Sequence, residues 1–255
     1  MKAVTLWRPQ LDNVYCYPAE TFLNALESDS IDLAVTSPPY NLRNTTGGGF
    51  PRNNGMWKGV KIRDGYDTYE DNMPHDEYVR WQRGILDECM RVIKPNGAIF
   101  YNHKWRVQAG LLQDRSDILM GLPVRQIIIW KRDTLVNFND SYFVPTYEVI
   151  YLIAKPDFKL ASGKNMFTDV WNIPAERDNP HPAPFPIQLA ERCIISTNAQ
   201  VILDPFMGSG TTALAARNLK RHYIGCDISP HYVEMANKRL ALPFTPMLFD
   251  MAAGE

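Results

Sequence analysis

The segment Val201–Leu219, VILDPFMGSGTTALAARNL, restricts the fold more tightly than any other part of the chain. It reads as an apolar strand, an acid, a glycine turn and a helix, the geometry of a nucleotide-binding α/β sheet. Further strand-like runs lie at Val14–Tyr17, Ile31–Thr36, Ala98–Asn102, Val124–Trp130, Tyr147–Ala154 and His222–Cys226. Helical spacing recurs at Asp76–Val92, Ile187–Thr197, Thr211–Leu219 and Pro230–Leu240. In the first of these, Tyr78, Trp81, Ile85, Cys89 and Val92 form one apolar stripe, and KPNG (Lys94–Gly97) turns the chain out of the helix into the next strand. Strands that alternate with helices, several of them apolar throughout, imply a mostly parallel sheet covered on both faces.

A chain of 255 residues has room for one large α/β domain or two small ones. Its 45% apolar and 22% charged content is that of a soluble globular protein, and no apolar run is long enough to cross a bilayer. The start, MKAVTLWRPQ, lacks the apolar core of a signal peptide. Cys16, Cys89, Cys193 and Cys226 lack CxxC spacing, so reduced core thiols in a cytoplasmic protein are expected, and no metal. The formal net charge of −1 hides a local patch: Arg43, Arg52, Lys58, Lys61 and Arg63 stand among glycines with no acid between Asn41 and Arg63. Composition alone fits either a solvated loop or one that contacts phosphates. Three polar stretches, Asn41–Pro74, Asp133–Pro145 and Pro156–Pro186, read as neither sheet nor helix and are where a substrate would be met.

Gly208, Gly210 and Ala213 satisfy G-x-G-x-x-A spacing, and Asp227 ends the following strand, HYIGCD. The glycines let the backbone approach a ligand at a helix N-terminus, and Asp227 suits ribose hydroxyls. Asp204, just before the turn, would meet a pyrophosphate with like charge, and the loop lacks the GK[ST] of a triphosphate site. S-adenosylmethionine, with an ammonium and a sulfonium to one side of an adenosine, meets both conditions. On these residues alone a plain strand-to-helix turn and an NAD site stay open.

Three segments, TSPPY (Thr36–Tyr40), HPAPFP (His181–Pro186) and DPFMGSGTT (Asp204–Thr212), stand in an order that resembles the β-class DNA amino-methyltransferases. The likeness runs from about Val14 to Leu240. It implies a Rossmann-like, S-adenosylmethionine-dependent methyltransferase fold with circularly permuted motifs. The sheet would be mostly parallel and seven-stranded with helices on both faces, in one catalytic domain over residues 1–255. It also places the SPPY strand beside the DPF strand, so that Ser37 and Asp204 meet in one cleft. Cofactor contacts are implied for Asp204, Pro205, Phe206, Gly208, Ser209, Gly210, Thr211 and Asp227, joined by His181 and Phe185. Double-stranded DNA is the implied partner, with recognition loops at about 41–74, 133–145 and 155–180. Arg43, Arg52, Lys58, Lys61 and Arg63 would meet phosphates, and Trp57 or Phe50 would wedge into the stack vacated by a flipped base. A homodimer and a cognate restriction enzyme are further implications.

The lone pair of an exocyclic base amine is delocalised into the ring, and SPPY offers a way to recover it. Ser37 and the Pro38 carbonyl would each take one N–H, Pro38 and Pro39 stiffen the segment, and Tyr40 offers a ring to the flipped base. A cytosine C5 enzyme would need a nucleophilic cysteine after proline, and no Pro-Cys pair exists. Serine at the first motif position is more usual for cytosine N4, whereas PPYN, with Asn41, resembles the adenine N6 continuation. Adenine is taken as the target, with cytosine N4 as the alternative. RNA or protein-amide methylation, or a non-catalytic DNA-binding subunit that senses the cofactor, are more distant readings. Where the family often has a Gly-Asp pair this chain has VYCYPAE, with Glu20 as the substitute acid. Asn102, His103 and Lys104, in FYNHK, are expected along the cleft.

Overall fold

The computed structural model describes residues 7–41, 71–108, 110–132, 140, 142–176 and 185–243. Its elements in chain order are β1 (Asn13–Cys16), α1 (Ala19–Asn24), β2 (Ile31–Thr36), α2 (His75–Val92), β3 (Ile93–His103), β4 (Arg106–Gln108), β5 (Leu111–Gln113) and α3 (Ser116–Leu119). There follow β6 (Val124–Lys131), β7 (Tyr147–Ala154), β8 (Val170–Asn172), α4 (Ile187–Ile195), β9 (Val201–Asp204), α5 (Thr211–Asn218), β10 (His222–Asp227) and α6 (Pro230–Ala241). Among the described residues, eight strands form one sheet in the order β1-β10-β9-β2-β3-β7-β6-β8, and β4 pairs with β5 as a separate hairpin. Within the large sheet β7 runs antiparallel to β3 and β6, and the other neighbours are parallel.

The seven expected strands are all present, and β8 is an eighth. It falls in the stretch Pro156–Pro186, and its three residues are too few to show an alternation. It pairs parallel with β6 at the sheet edge, Trp130 opposite Trp171. A second correction concerns KPNG, which does not lie outside the sheet. β3 begins at Ile93, which pairs with Ile31, and the register then shifts so that Leu33 meets Ala98. KPNG is carried in that bulge, and a side chain on Gly97 would overlap the Asp32 carbonyl. The short helices α1 and α3 and the β4–β5 hairpin were not expected, since four to six residues do not establish a helical period.

Apolar residues along the central strands divide between two layers. Leu33, Val35, Phe100 and Ile202 face a core shared with Leu189, Cys193, Ala213 and Ala216 of α4 and α5. Ala34, Ile99, Tyr101 and Leu203 face the other, with Phe22, Ile85, Leu86 and Cys89 of α1 and α2. Both faces of β2 are therefore buried between Leu33 and Val35, which explains the apolar run LAV at its centre. The stripe read on α2 is its buried face, with Tyr78, Ile85, Cys89 and Val92 each at 1% exposure or less.

At the edge remote from the glycine loop, Asp32 ties three strands together. Its Oδ1 accepts from Lys94 Nζ at 2.7 Å, and its Oδ2 accepts from the Gln200 and Val201 amides at 3.0 and 2.9 Å. Burial alone would raise its carboxyl, but Lys94 and the two amides hold it below the ordinary value of 3.8. A carboxyl depressed by folding stabilises the protein above its unfolded pKa and loses that contribution as pH falls through the folded one. Asp32→Ala is expected to cost about 2–4 kcal/mol at neutral pH, from lost charge-assisted hydrogen bonds. Urea melts should show the gap to wild type narrowing below about pH 4, and a gap independent of pH would refute this role.

Candidate active site

The strand order reverses between β9 and β2. From β9 the chain crosses through α5 to β10 on one side, whereas β2 is followed in the sheet by β3 on the other. Loops leaving adjacent parallel strands at such a point open a crevice where ligands bind. Here those loops are Asp204–Gly210 and Ser37–Asn41.

Asp204 links the two. It is 1% exposed, accepting from Thr36 Oγ1 at 2.8 Å on Oδ1 and from Thr212 Oγ1 at 2.7 Å on Oδ2. The Phe206 amide also donates to Oδ1, at 3.0 Å. Burial pushes the carboxyl up to about 7 against the pull of these donors, and Asp227 adds to the rise. Asp227 closes the other side of the loop, accepting from the Gly208 amide at 2.8 Å and the Ser229 amide at 2.9 Å. Gly210 has φ 84°, and a Cβ there would stand 2.8 Å from that of Ala236 in α6, so its glycine serves helix packing as well as the turn. Arg239 of α6 donates to the Ser209 carbonyl at 2.7 Å, to Ser209 Oγ at 2.9 Å and to Thr211 Oγ1 at 3.3 Å. The Ser209 and Thr211 oxygens thus accept from Arg239, and the Phe206, Met207, Gly208 and Gly210 amides are taken by Asp204, the Cys226 carbonyl, Asp227 and the Met207 carbonyl. The Pro205 carbonyl faces Cys226 Sγ at 3.3 Å, while the Phe206 ring meets Trp81 edge-on, with centroids 5.7 Å apart.

Across the crevice, SPPY is held by a buried polar cluster. The Tyr40 ring stacks on His103 with centroids 4.7 Å apart, so one of its faces is already covered. Its hydroxyl lies 2.8 Å from Ser37 Oγ, 2.7 Å from Asn102 Nδ2 and 3.1 Å from Glu148 Oε2. Arg132 Nη1 donates to the other oxygen of Glu148 at 2.9 Å. Tyr78 of α2 places its hydroxyl 2.8 Å from the Pro39 carbonyl oxygen and 2.7 Å from His103 Nε2. Burial, reinforced by the Arg115 guanidinium, keeps the His103 imidazole well below its usual range, so it is neutral. Lys104 is likewise held below the ordinary ammonium range by burial.

Asn102 and His103, read from FYNHK as lining the cleft, instead lie behind SPPY, buried to 3% and 1% exposure. Asn41 turns out to be a backbone clamp: it has φ 57°, is fully buried, and donates from its amide to Asp71 Oδ1 at 2.6 Å and from Nδ2 to the Met73 carbonyl at 2.7 Å. Arg106 Nη1 closes on its carbonyl at 2.5 Å. Phe185 joins the α4–α5 core layer at 9% exposure. Glu20 is hydrogen-bonded to the Trp81 indole. His181, Arg43, Phe50, Arg52, Trp57, Lys58, Lys61 and Arg63 lie outside the described residues. The expected recognition segment 155–180 starts at the remote edge, where Lys155 pairs with Asp29 at 3.0 Å, and returns toward the crevice along β8. Glu148 and Arg132 were not anticipated. The available signal was a lone acid inside the apolar run TYEVIYLIA, since a carboxylate is seldom buried in a strand without a partner.

The chain is similar to known proteins along most of its length. The family described as DNA methylase (N6_N4_Mtase) matches residues 31–238. The type II methyltransferase M.HpaI of Haemophilus parainfluenzae is 30% identical over 90% of this chain and 74% of its own length. M.BglII of Bacillus subtilis, also a type II methyltransferase, is 27% identical over 92% of this chain and 70% of its own. Among solved structures, the cytosine-N4-specific PvuII DNA methyltransferase superposes with a TM-score of 0.72 at 19% identity, covering 93% of this chain and 89% of that one. The M1.HpyAVI–SAM complex gives 0.59 at 22%, covering 89% and 98%. At those identities the two structures speak for the fold.

Asp204 offers a test of the cleft's electrostatics. Its folded carboxyl titrates near 7 against an ordinary 3.8, so across that window the folded state holds a proton that the unfolded state has released. This contribution to stability is full below about pH 4, declines as pH rises toward 7 and levels off above it. Asp204→Asn does not titrate, and subtracting its pH–stability curve from that of wild type should leave this decline. A flat difference curve would show that Asp204 is not its source.

Proposed function

Since the chain belongs to the N6/N4 DNA methylase family, we propose that this crevice is where it moves a methyl group from S-adenosylmethionine to the exocyclic amine of a DNA base. It is an S-adenosylmethionine-dependent DNA methyltransferase acting on double-stranded DNA. One observation carries the assignment of the site: Thr36 Oγ1 and Asp204 Oδ1, 2.8 Å apart, bring the SPPY turn and the glycine loop to the same sheet edge.

The residues present fit the cofactor. Asp204 and Asp227 flank the glycine turn, and a cation beside two neighbouring carboxylates relieves the repulsion that helps to raise the first. Gly208 and Gly210, whose amides are taken by Asp227 and the Met207 carbonyl, would let the turn approach the ligand closely, Ser209 and Thr211 would offer backbone amides at the start of α5, Pro205 and Phe206 would wall the loop, and His181 and Phe185 would close it from the HPAPFP segment. The bound cofactor supplies an electrophilic methyl on sulfur.

Opposite it, Ser37 Oγ and the Pro38 carbonyl would take the two amine N–H groups, which favours a pyramidal nitrogen whose lone pair is withdrawn from conjugation with the ring. On gaining the methyl group the amine would give up to solvent one of the two protons that Ser37 Oγ and the Pro38 carbonyl hold. Pro39, held by Tyr78, keeps the turn rigid while this happens. Tyr40 packs beside the base on the face that His103 leaves. Positioning of this kind accounts for rate without a covalent intermediate.

Adenine N6 is the proposed acceptor, on the PPYN continuation, and cytosine N4 is the alternative, on Ser37. The clamped geometry of Asn41 explains that residue by loop structure, and so removes part of the case for adenine. DNA would be held by the segment 41–74 with Arg43, Arg52, Trp57, Lys58, Lys61 and Arg63, and by 133–145. In the latter Phe143 is 99% exposed, an apolar ring suited to stacking on a base.

Radiolabelled S-adenosylmethionine with mixed duplex DNA, followed by nucleoside analysis, should yield N6-methyladenine. N4-methylcytosine alone would transfer the assignment to the alternative, and neither product would refute the reading. Ser37→Ala should keep cofactor and DNA binding while turnover falls by about two to three orders of magnitude.

A further inference from the structure

Glu148 is a carboxylate on an otherwise apolar strand, 8% exposed, with each oxygen assigned to a different partner. Oε1 accepts from Arg132, and Oε2 faces the Tyr40 hydroxyl and Asn102 Nδ2, both at 3.1 Å. We propose that Glu148 is a positioning residue which sets the direction of the hydroxyl chain ending at Ser37, so that Ser37 meets the target amine as an acceptor. The proposal rests on the amino-methyltransfer reading given above.

The direction follows from counting protons. A carboxylate only accepts, so the single Tyr40 hydroxyl proton goes to Glu148 Oε2. The two Tyr40 lone pairs are then filled by Asn102 Nδ2–H at 2.7 Å and by the Ser37 hydroxyl at 2.8 Å. With its proton committed to Tyr40, Ser37 presents lone pairs to the crevice. Asn102 Nδ2, 3.3 Å from Ser37 Oγ, engages at most one of them. An incoming amine brings N–H donors and needs such an acceptor. With the chain reversed, a Ser37 O–H would point at an N–H and the contact would fail.

Arg132 makes this testable with a change that keeps size. In Glu148→Gln the guanidinium at 2.9 Å demands the amide oxygen, which leaves the amide NH2 toward Tyr40. Tyr40 must then accept there, and its own proton turns to Ser37 or to Asn102, whose Nδ2 stands 3.1 Å from the same position and must turn over, so Ser37 is no longer held as an acceptor. In Glu148→Asp the acceptor survives on a shorter arm. A role in packing alone ranks the near-isosteric Gln above Asp, whereas a role in orienting the hydroxyls ranks Asp above Gln.

The experiment measures single-turnover methyl transfer on saturating duplex DNA, S-adenosylmethionine affinity and thermal melting for wild type, E148Q, E148D, Y40F and the pair Y40F/E148Q. E148Q is expected to lower the transfer rate by about one to two orders of magnitude with cofactor affinity and melting near those of wild type. E148D should retain more activity than E148Q. Because Glu148 acts through Tyr40, Y40F/E148Q should be no slower than the slower single variant. E148Q within threefold of wild type, E148Q faster than E148D, or multiplicative losses in the pair would each overturn the proposal. Should E148Q fail to melt cooperatively, the same cycle with E148D decides it. A wild type that forms neither methylated nucleoside counts against the amino-methyltransfer reading instead of against Glu148.

Discussion

The carboxylate of Asp204, almost wholly withdrawn from water, fastens the end of β9 to the end of β2 through Thr36 and to the start of α5 through Thr212. The strands themselves are joined only at Leu33 with Ile202 and Ala34 with Leu203, short of the site. Past that pairing the two loops diverge, and the bonds to Asp204 hold them in register. Burial of the charge is costly, as its raised pKa shows, and three donors offset part of that cost. A loop braced by a carboxylate under such tension is well matched to a cationic ligand, because added positive charge favours the ionised form that the protein alone resists.

Rigidity elsewhere follows from this anchor. Asp227 draws the glycine turn back onto β10, and Gly210 lies so close to Ala236 that α6 forms its outer wall. Arg239 then engages the loop's hydroxyls from the same helix. On the other side Tyr78 brings α2 against the Pro39 carbonyl. Helices from both faces of the sheet therefore brace the two loops, and the crevice is shaped before any ligand arrives. That is what positional catalysis requires, since a displacement of about 1 Å can cost about a hundredfold in rate.

What could be read in advance was what depends on local pattern. β2 and β9 are apolar at their centres, Leu33–Val35 and Val201–Leu203, because both of their faces are covered, and α2 carries its stripe because one face is. The glycine loop and SPPY were legible because each compresses its constraint into a few consecutive residues. Glu148 was not, because its role exists only through register: antiparallel β7 returns it to the edge that holds Tyr40, 108 positions earlier in the chain. Asn41 shows the converse, since it was read through its neighbours in PPYN while its partners, Asp71 and Met73, lie 30 and 32 positions later in the chain. β8 escaped because it is three residues long and owes its existence to the free edge of β6.

The chemistry asked of the site explains why so little of the cluster behind SPPY is built to move protons. An exocyclic amine that has gained a methyl group is strongly acidic, because losing a proton restores conjugation with the ring, so its departure needs no base of matched pKa. The difficult step comes earlier, when the lone pair must leave that conjugation. A neutral His103, buried and stacked on Tyr40, contributes shape rather than a titrating group. The Glu148–Arg132 pair likewise keeps its charges on each other, behind the hydroxyls and away from the reacting nitrogen. The cluster is therefore suited to presenting fixed acceptors to an incoming amine, and its ionised groups act by dictating which way neutral ones point.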